Sequence, residues 1–384
     1  MLTLKKRIVD VYIKILRSFV GIDRNQVLFQ SFSGKNYSDN PRAISEQLHE
    51  ISPNTRIIWA FSDPSKMVKH VPAYVGIVDK NKPLKYYLEI TRSKVVIDNN
   101  VFRIPKRHGQ RFLQTWHGDR AFKKILYDSN YYVSEDYLES HDGFCDLAIA
   151  GSDYGVNQYR SGFHYKGEIL TCGLPRNDVL LKDDAQPRSV EIKRELNMED
   201  GVRILLYAPT LRRINQRGRG NQQIQDIDIG KTLDALEKHD GCKWICLMRA
   251  HPNMSGLAGF DVSERIMDVS RYEDMADLLL VSDMLITDYS SCAGDFALTH
   301  RPIILYQSDR QEYQEKDREF YFNMEDSPYM IAENQQELED LISRLDDETV
   351  RENCDEILRF YNTTESGEAA AAVARRIVEW INEA

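Results

Sequence analysis

Five short stretches combine residue types that handle protons or phosphate, and four of them end or follow an apolar run. Gln114-Thr115-Trp116-His117-Gly118 sets an imidazole at the end of the run Phe112–Trp116. An imidazole titrates near neutrality and suits a general base, and Gly118 permits the tight turn that would leave it on a rim. Met248-Arg249-Ala250-His251-Pro252 follows Trp244–Met248. Two positions apart in extended chain, Arg249 and His251 share a side and can both meet one phosphate group. Tyr207-Ala208-Pro209-Thr210 ends the run Arg203–Tyr207 and leads into Arg212, Arg213, Arg217 and Arg219, a glycine-containing loop suited to an anion. Ile286-Thr287-Asp288-Tyr289-Ser290-Ser291-Cys292-Ala293-Gly294-Asp295-Phe296 reads as strand, polar turn and helix. Ser290 is the expected N-cap, with amides behind it for a phosphate. Gly173-Leu174-Pro175-Arg176-Asn177-Asp178 turns after Glu168–Thr171 and would bring Arg176 to a cleft.

The elements that must position these residues alternate in type. Strand-like runs are Gln26–Phe32, Arg56–Phe61, Tyr74–Val78, Lys94–Asp98, Phe112–Trp116 and Leu147–Ala150, with helices expected at Pro41–Glu50 and Pro83–Arg92. Near-continuous apolar strands alternating with helices predict parallel sheets covered on both faces. The polar stretch Leu180–Ser189 reads as a linker. Beyond it come a helix at Val190–Leu196 and strands at Arg203–Tyr207, Trp244–Met248, Arg265–Asp268, Met284–Thr287 and Ile303–Tyr306. Helices near Gln335–Leu345, Thr349–Tyr361 and Gly367–Ile381 complete the series. The expected architecture is two Rossmann-like α/β domains, 25–185 and 186–384, with a ligand cleft beyond the carboxyl ends of the strands.

Residues 1–24 form a third unit, an amphipathic helix. Leu4, Ile8, Val11, Tyr12, Ile15, Leu16 and Phe19 recur at spacings of three and four. Six basic residues against two acidic ones give this segment a net +4, in a chain of net −10. Such a helix suits an anionic membrane surface. An ordinary helix packed on the first domain is the alternative.

With 384 residues, 42% of them hydrophobic, the chain can bury sizeable cores without staples. A net charge of −10 argues against a uniformly basic nucleic-acid binder. The six cysteines are scattered, and the Cys242/Cys246 pair has no second pair to complete a zinc site, so reduced thiols in a cytoplasmic setting and no metal are expected. Asp226-Ile227-Asp228 lacks a strand-end setting and reads as incidental. No apolar run reaches 18 residues, and no P-loop, G-x-G-x-x-G or G-x-S-x-G is present.

Taken in order, QTWHG, GLPRND, YAPT, RAHP and ITDYSSCAGDFA followed by RPIILY resemble the CDP-glycerol glycerophosphotransferase family, over roughly residues 95–345. The resemblance implies a GT-B-like fold attached peripherally to the cytoplasmic face of the cell membrane. It implies transfer of glycerol phosphate from CDP-glycerol to a hydroxyl of a polyprenyl-linked saccharide or polymer acceptor, with release of CMP, in teichoic acid or capsule synthesis. No cofactor is implied. Carried over position by position, His117 matches the catalytic base and His251 a second catalytic group. Gly118, Asp119, Arg120, Ala121, Arg176, Pro209, Thr210, Arg249, Ala250, Ser290, Ser291 and Asp295 match donor-binding positions, with Arg212 and Arg213 as weaker candidates for acceptor or phosphate. After His-Gly the family usually reads Thr-Pro-Leu-Lys. This chain reads Asp119-Arg120-Ala121-Phe122 and then Lys123-Lys124. That departure leaves the alditol, glycerol or ribitol, and the acceptor open. The large extra domain of some polymerising members is not seen, so addition of one or a few units is expected. A GT-B glycosyltransferase using a nucleotide sugar and a membrane-bound scaffold without activity are the remaining alternatives.

Overall fold

The apolar runs become strands whose two faces are both covered, which is why they show no polar alternation. The computed structural model describes residues 2–100, 106–129, 145–182, 186–210, 212, 226–250 and 264–383. Seven strands form the first sheet: β1 (Asp23–Gln30), β2 (Arg56–Phe61), β3 (Gly76–Asp79), β4 (Ser93–Asp98), β5 (Arg111–Gln114), β6 (Leu147–Ala150) and β7 (Glu168–Thr171). Their order is β3-β2-β1-β4-β5-β6-β7. Six form the second: β8 (Arg203–Ala208), β9 (Trp244–Met248), β10 (Ile266–Asp268), β11 (Met284–Thr287), β12 (Ile303–Tyr306) and β13 (Met330–Ala332). Their order is β10-β9-β8-β11-β12-β13. Every pairing is parallel. Two Rossmann-like units are thus present, as expected.

In each sheet the strand order reverses once, between β1 and β4 and between β8 and β11. Crossovers leave such a point toward opposite faces and open a crevice beyond the carboxyl ends of the strands. Register brings Gln30 level with Asp98 at the first crevice and Ala208 level with Thr287 at the second. The sequence motifs begin at these ends.

Two boundaries differ from expectation. Helices Asp178–Leu181 and Gln186–Glu195 occupy most of the expected linker. The helix Ala369–Asn382, assigned above to the C-terminal unit, returns to the first sheet. Its stripe Val373, Ala374, Ile377 and Trp380 joins the cluster of Val27, Phe29, Trp59, Ile97 and Leu113. The physical reason is complementarity: that stripe covers the face of β1 and β4 beside the helix Asp39–Ile51.

The N-terminal helix Leu2–Phe19 lies on the helix Pro83–Arg92, with Ile13 buried and Tyr12 Oη donating to the Leu84 carbonyl at 3.1 Å. Its outward side carries Val11, Ile15 and Phe19, the last 86% exposed. Among the described residues no helix is long and apolar enough to cross a membrane.

Candidate active site

At the first crevice, β5 ends in a kink. Trp116 takes φ +49°, a left-handed value that costs a bulky residue roughly 1–3 kcal/mol. Its N–H donates to Gln114 Oε1 at 2.8 Å, which holds the kink. The kink lays the next residue, His117, over the end of β4, where Nδ1 is 2.8 Å from the Asn99 carbonyl oxygen. A carbonyl only accepts, so Nδ1 carries the proton and Nε2 keeps its lone pair, as a base requires. Asn99 is itself pinned. Its Nδ2 donates to Ser31 Oγ (3.0 Å) and Asp39 Oδ2 (2.9 Å), and its Oδ1 accepts from the Phe32 N–H at 2.7 Å. The rings of Trp116 and Phe32 flank the imidazole at 4.2 and 5.5 Å.

Burial lowers the His117 pKa below its usual 6.5, outweighing the Asn99 contact and the Asp39 charge that raise it; Arg176 lowers it further. His117 is therefore neutral at neutral pH. We expect kcat/KM to carry an acid limb from His117 below pH 6.5. A pH–rate profile with the limb centred above neutrality would remove His117 as the titrating base.

Gly118 abuts the second unit: a Cβ there would stand 3.5 Å from Ser291 Oγ. The structure thus brings the first and fourth motifs together. The next residues do not face a cleft. Asp119 is buried and accepts from the Gly151 N–H (3.0 Å) and Ser152 Oγ (2.6 Å). Arg120 is fully buried, 2.6 Å from Asp295 and 2.5 Å from Glu365. The Ala121 carbonyl accepts from Tyr154 Oη and Gln158 Nε2. Arg176 bridges Asp39 (3.1 Å) and Asp295 (2.8 Å) and donates to the His117 carbonyl at 2.9 Å.

Asp119, Arg120, Arg176 and Asp295, read above as donor contacts, are therefore placed in an internal ionic junction between the units. The cause is charge pairing: Asp295 faces two guanidiniums, and Asn177 Nδ2 closes the ring to Asp295 and Glu365. Burial alone would raise the Asp295 carboxyl, but Arg176 and Arg120 hold it below its usual 3.8. Burial wins at Glu365, whose pKa is raised. Around Asp39 the junction continues, its N–H donating to Asp274 Oδ2 at 3.1 Å.

At the second crevice, Pro209 is buried and the Thr210 N–H donates to both carboxylate oxygens of Asp288, at 2.9 and 3.0 Å. Arg212, a candidate phosphate ligand above, is pinned by Asp288 (2.8 Å) and Asp309 (2.7 Å) and stacks on Tyr289 and Tyr313. The helix Cys292–Phe296 has five residues, and its cap position is Ser291, not Ser290. So short a helix offers little dipole; what remains for an anion is the pair of half-buried hydroxyls, Ser290 and Ser291. The Ala250 N–H donates to Ser270 Oγ at 2.9 Å. Arg249 is half-buried, and its Nη1 is buried without a hydrogen-bond partner. Burial lowers its pKa, with Asp274 and Cys292 among the groups it faces. A buried guanidinium with an empty donor is costly unless a ligand completes it. His251 and Arg213 lie outside the described residues. Among the described residues no three His, Cys, Asp or Glu are grouped to hold a metal ion.

Sequence reasoning missed Asn99, Asp39 and Asp288. The polar run Asp98-Asn99-Asn100 at a strand end was the available signal for the first.

The family model for CDP-glycerol:poly(glycerophosphate) glycerophosphotransferases matches residues 12–379. The chain belongs to this family. It is 31% identical over 378 residues to a teichoic acid glycerol-phosphate transferase of Staphylococcus aureus, covering 92% of this chain and 93% of that protein. It is 31% identical over 375 residues to a teichoic acid poly(glycerol phosphate) polymerase of Staphylococcus epidermidis, covering 93% of this chain. The chain spans about half of that polymerase, 51% of its length. A variant of the wall teichoic acid polymerase TagF superposes with a TM-score of 0.84 at 28% identity, covering 98% of this chain and 95% of that one. A TagF variant solved with CDPG gives 0.81 at 30% identity, covering 94% and 90%.

Proposed function

We propose that this chain transfers glycerol phosphate from CDP-glycerol to a hydroxyl of a teichoic-acid-type acceptor and releases CMP. The observation that carries the reading is the base and its surroundings: a neutral His117 with Nε2 unprotonated, one residue from the contact with Ser291. The acceptor oxygen attacks the β-phosphorus in line, and its proton passes to Nε2. The new O–P bond replaces the bond to CMP. Catalysis of this type is mostly positioning and charge neutralisation. Ser290, Ser291 and Arg249 bind the diphosphate, and His251 is the second catalytic group. Asp119, Arg120, Arg176 and Asp295 hold the crevice walls in register. Gly118, Pro209, Thr210 and Ala250 offer backbone close to the donor.

The test is CMP release from CDP-glycerol, CDP-ribitol and UDP-sugars, each with a lipid-linked disaccharide acceptor. Release from CDP-glycerol supports the reading. Release from CDP-ribitol alone changes the alditol. UDP release overturns phosphotransfer.

The acceptor is a polyprenyl-linked saccharide or polymer, reached at the cytoplasmic face of the membrane. The exposed Val11, Ile15 and Phe19, on a helix that also bears Lys14 and Arg17, support surface attachment. Deleting residues 1–22 should release the protein from anionic liposomes in a sedimentation assay. Unchanged sedimentation would remove the membrane claim.

A further inference from the structure

A diphosphate brings about two negative charges to the crevice, and something must offset them. Most of the cations around it are already neutralised. Arg120 is held by Asp295 and Glu365, Arg176 by Asp39 and Asp295, and Arg212 by Asp288 and Asp309. Arg249 and Lys123 differ: among the described residues neither has a carboxylate within 4.0 Å.

Lys123 follows the catalytic histidine by six positions, and its backbone is fixed against the second unit. It forms an antiparallel bridge with Phe320. On either side, the Tyr321 N–H donates to the Phe122 carbonyl (2.8 Å) and the Lys124 N–H to the Glu319 carbonyl (2.9 Å). Lys124 pairs with Glu319 at 2.9 Å, which takes that carboxylate out of reach. The groups facing Lys123 are Arg318, Asp288, Arg212 and Asp317. Asp288 is already occupied by the Thr210 N–H, the Tyr289 N–H and Arg212. A half-buried ammonium among two guanidiniums and two carboxylates, with no carboxylate within 4.0 Å among the described residues, can take an anion as its partner.

We propose that Lys123 contacts the β-phosphate of the nucleotide donor and, together with Arg249, offsets the charge of the diphosphate. The inference rests on the cytidine-nucleotide reading above. Burial, reinforced by Arg318 and Arg212, brings the Lys123 pKa down to about 8 against the opposing pull of Asp288 and Asp317. Above that pH the free site loses its proton and must regain it to bind, so donor affinity falls on the alkaline side.

Titration calorimetry with CDP and with CMP tests this. Lys123→Met should weaken CDP by about 10-fold or more and CMP by about 2-fold or less. Lys123→Arg should restore CDP affinity at neutral pH and abolish the wild-type weakening above pH 8, because arginine keeps its proton. Equal loss of CDP and CMP, no loss, or an alkaline limb that survives in Lys123→Arg overturns the assignment while leaving the cytidine-nucleotide reading intact. A wild type that binds neither nucleotide overturns that reading, and the assignment with it. Melting curves of both variants, matched to wild type, tie the affinity change to the ammonium.

Discussion

Replacing His117 with alanine should lower kcat by about 10²–10⁴-fold while CDP-glycerol still binds, the span expected of a general base. The separation follows from geometry. His117 Nδ1 is occupied by the Asn99 carbonyl and Nε2 carries the only lone pair, so the side chain has one chemical task. The groups assigned to the diphosphate, Arg249, Ser290 and Ser291, sit on the second unit and keep their places. Single-turnover CMP release together with calorimetric binding checks both halves. Near-wild-type turnover would sink His117 as the base, and lost binding would make it a donor ligand.

Arg120→Met should destabilise the fold by about 3–5 kcal/mol, the usual cost of removing one partner from a buried ion pair. Arg120 is fully buried, and a Cβ on Gly294 would lie 2.6 Å from its Cδ, so the helix Cys292–Phe296 closes directly over it. Asp295 would retain Arg176, but among the described residues Glu365 would keep Asn177 and the Leu174 N–H as hydrogen-bond partners. The pH dependence has a definite sign. Glu365 already has a raised pKa, and losing the guanidinium raises it further. Its penalty therefore applies where the carboxylate is ionised and disappears as it protonates. The stability gap between variant and wild type should narrow as pH falls from about 8 to about 5. Urea unfolding at both pH values measures it; a gap that widens on acidification would refute the junction as drawn.

The strands were the legible part of this molecule. β2, β6, β9, β11 and β12 match the apolar runs residue for residue, because a strand covered on both faces announces itself as a block. The helix Met275–Val281 gave no periodic signal, since its residues from Ala276 to Val281 are all buried. Strand β13 has only three residues and sits at the sheet edge. The site was half legible. His117 and Arg249 could be proposed because their types and strand-end positions suffice. Arg120 and Arg176 could not be sorted from donor ligands, because their carboxylates lie far along the chain. Glu365 is 245 residues from Arg120, and Asp295 is 119 from Arg176. Lys123 was visible only as a departure from a familiar pattern. What sets it apart is which acids nearby are already occupied, and that is a property of the folded state.

The return of the helix Ala369–Asn382 to the first sheet also sets a schedule for synthesis. Roughly two hundred residues separate β7 from that helix, about 10–40 s of translation at about 5–20 residues per second. Throughout that interval the first unit emerges with Val27, Phe29 and Leu113 lacking their late cover. The nascent chain must hold a greasy surface out of trouble until the second unit is complete, so this protein matures as one body. Severing it between the two sheets should yield an aggregating first half.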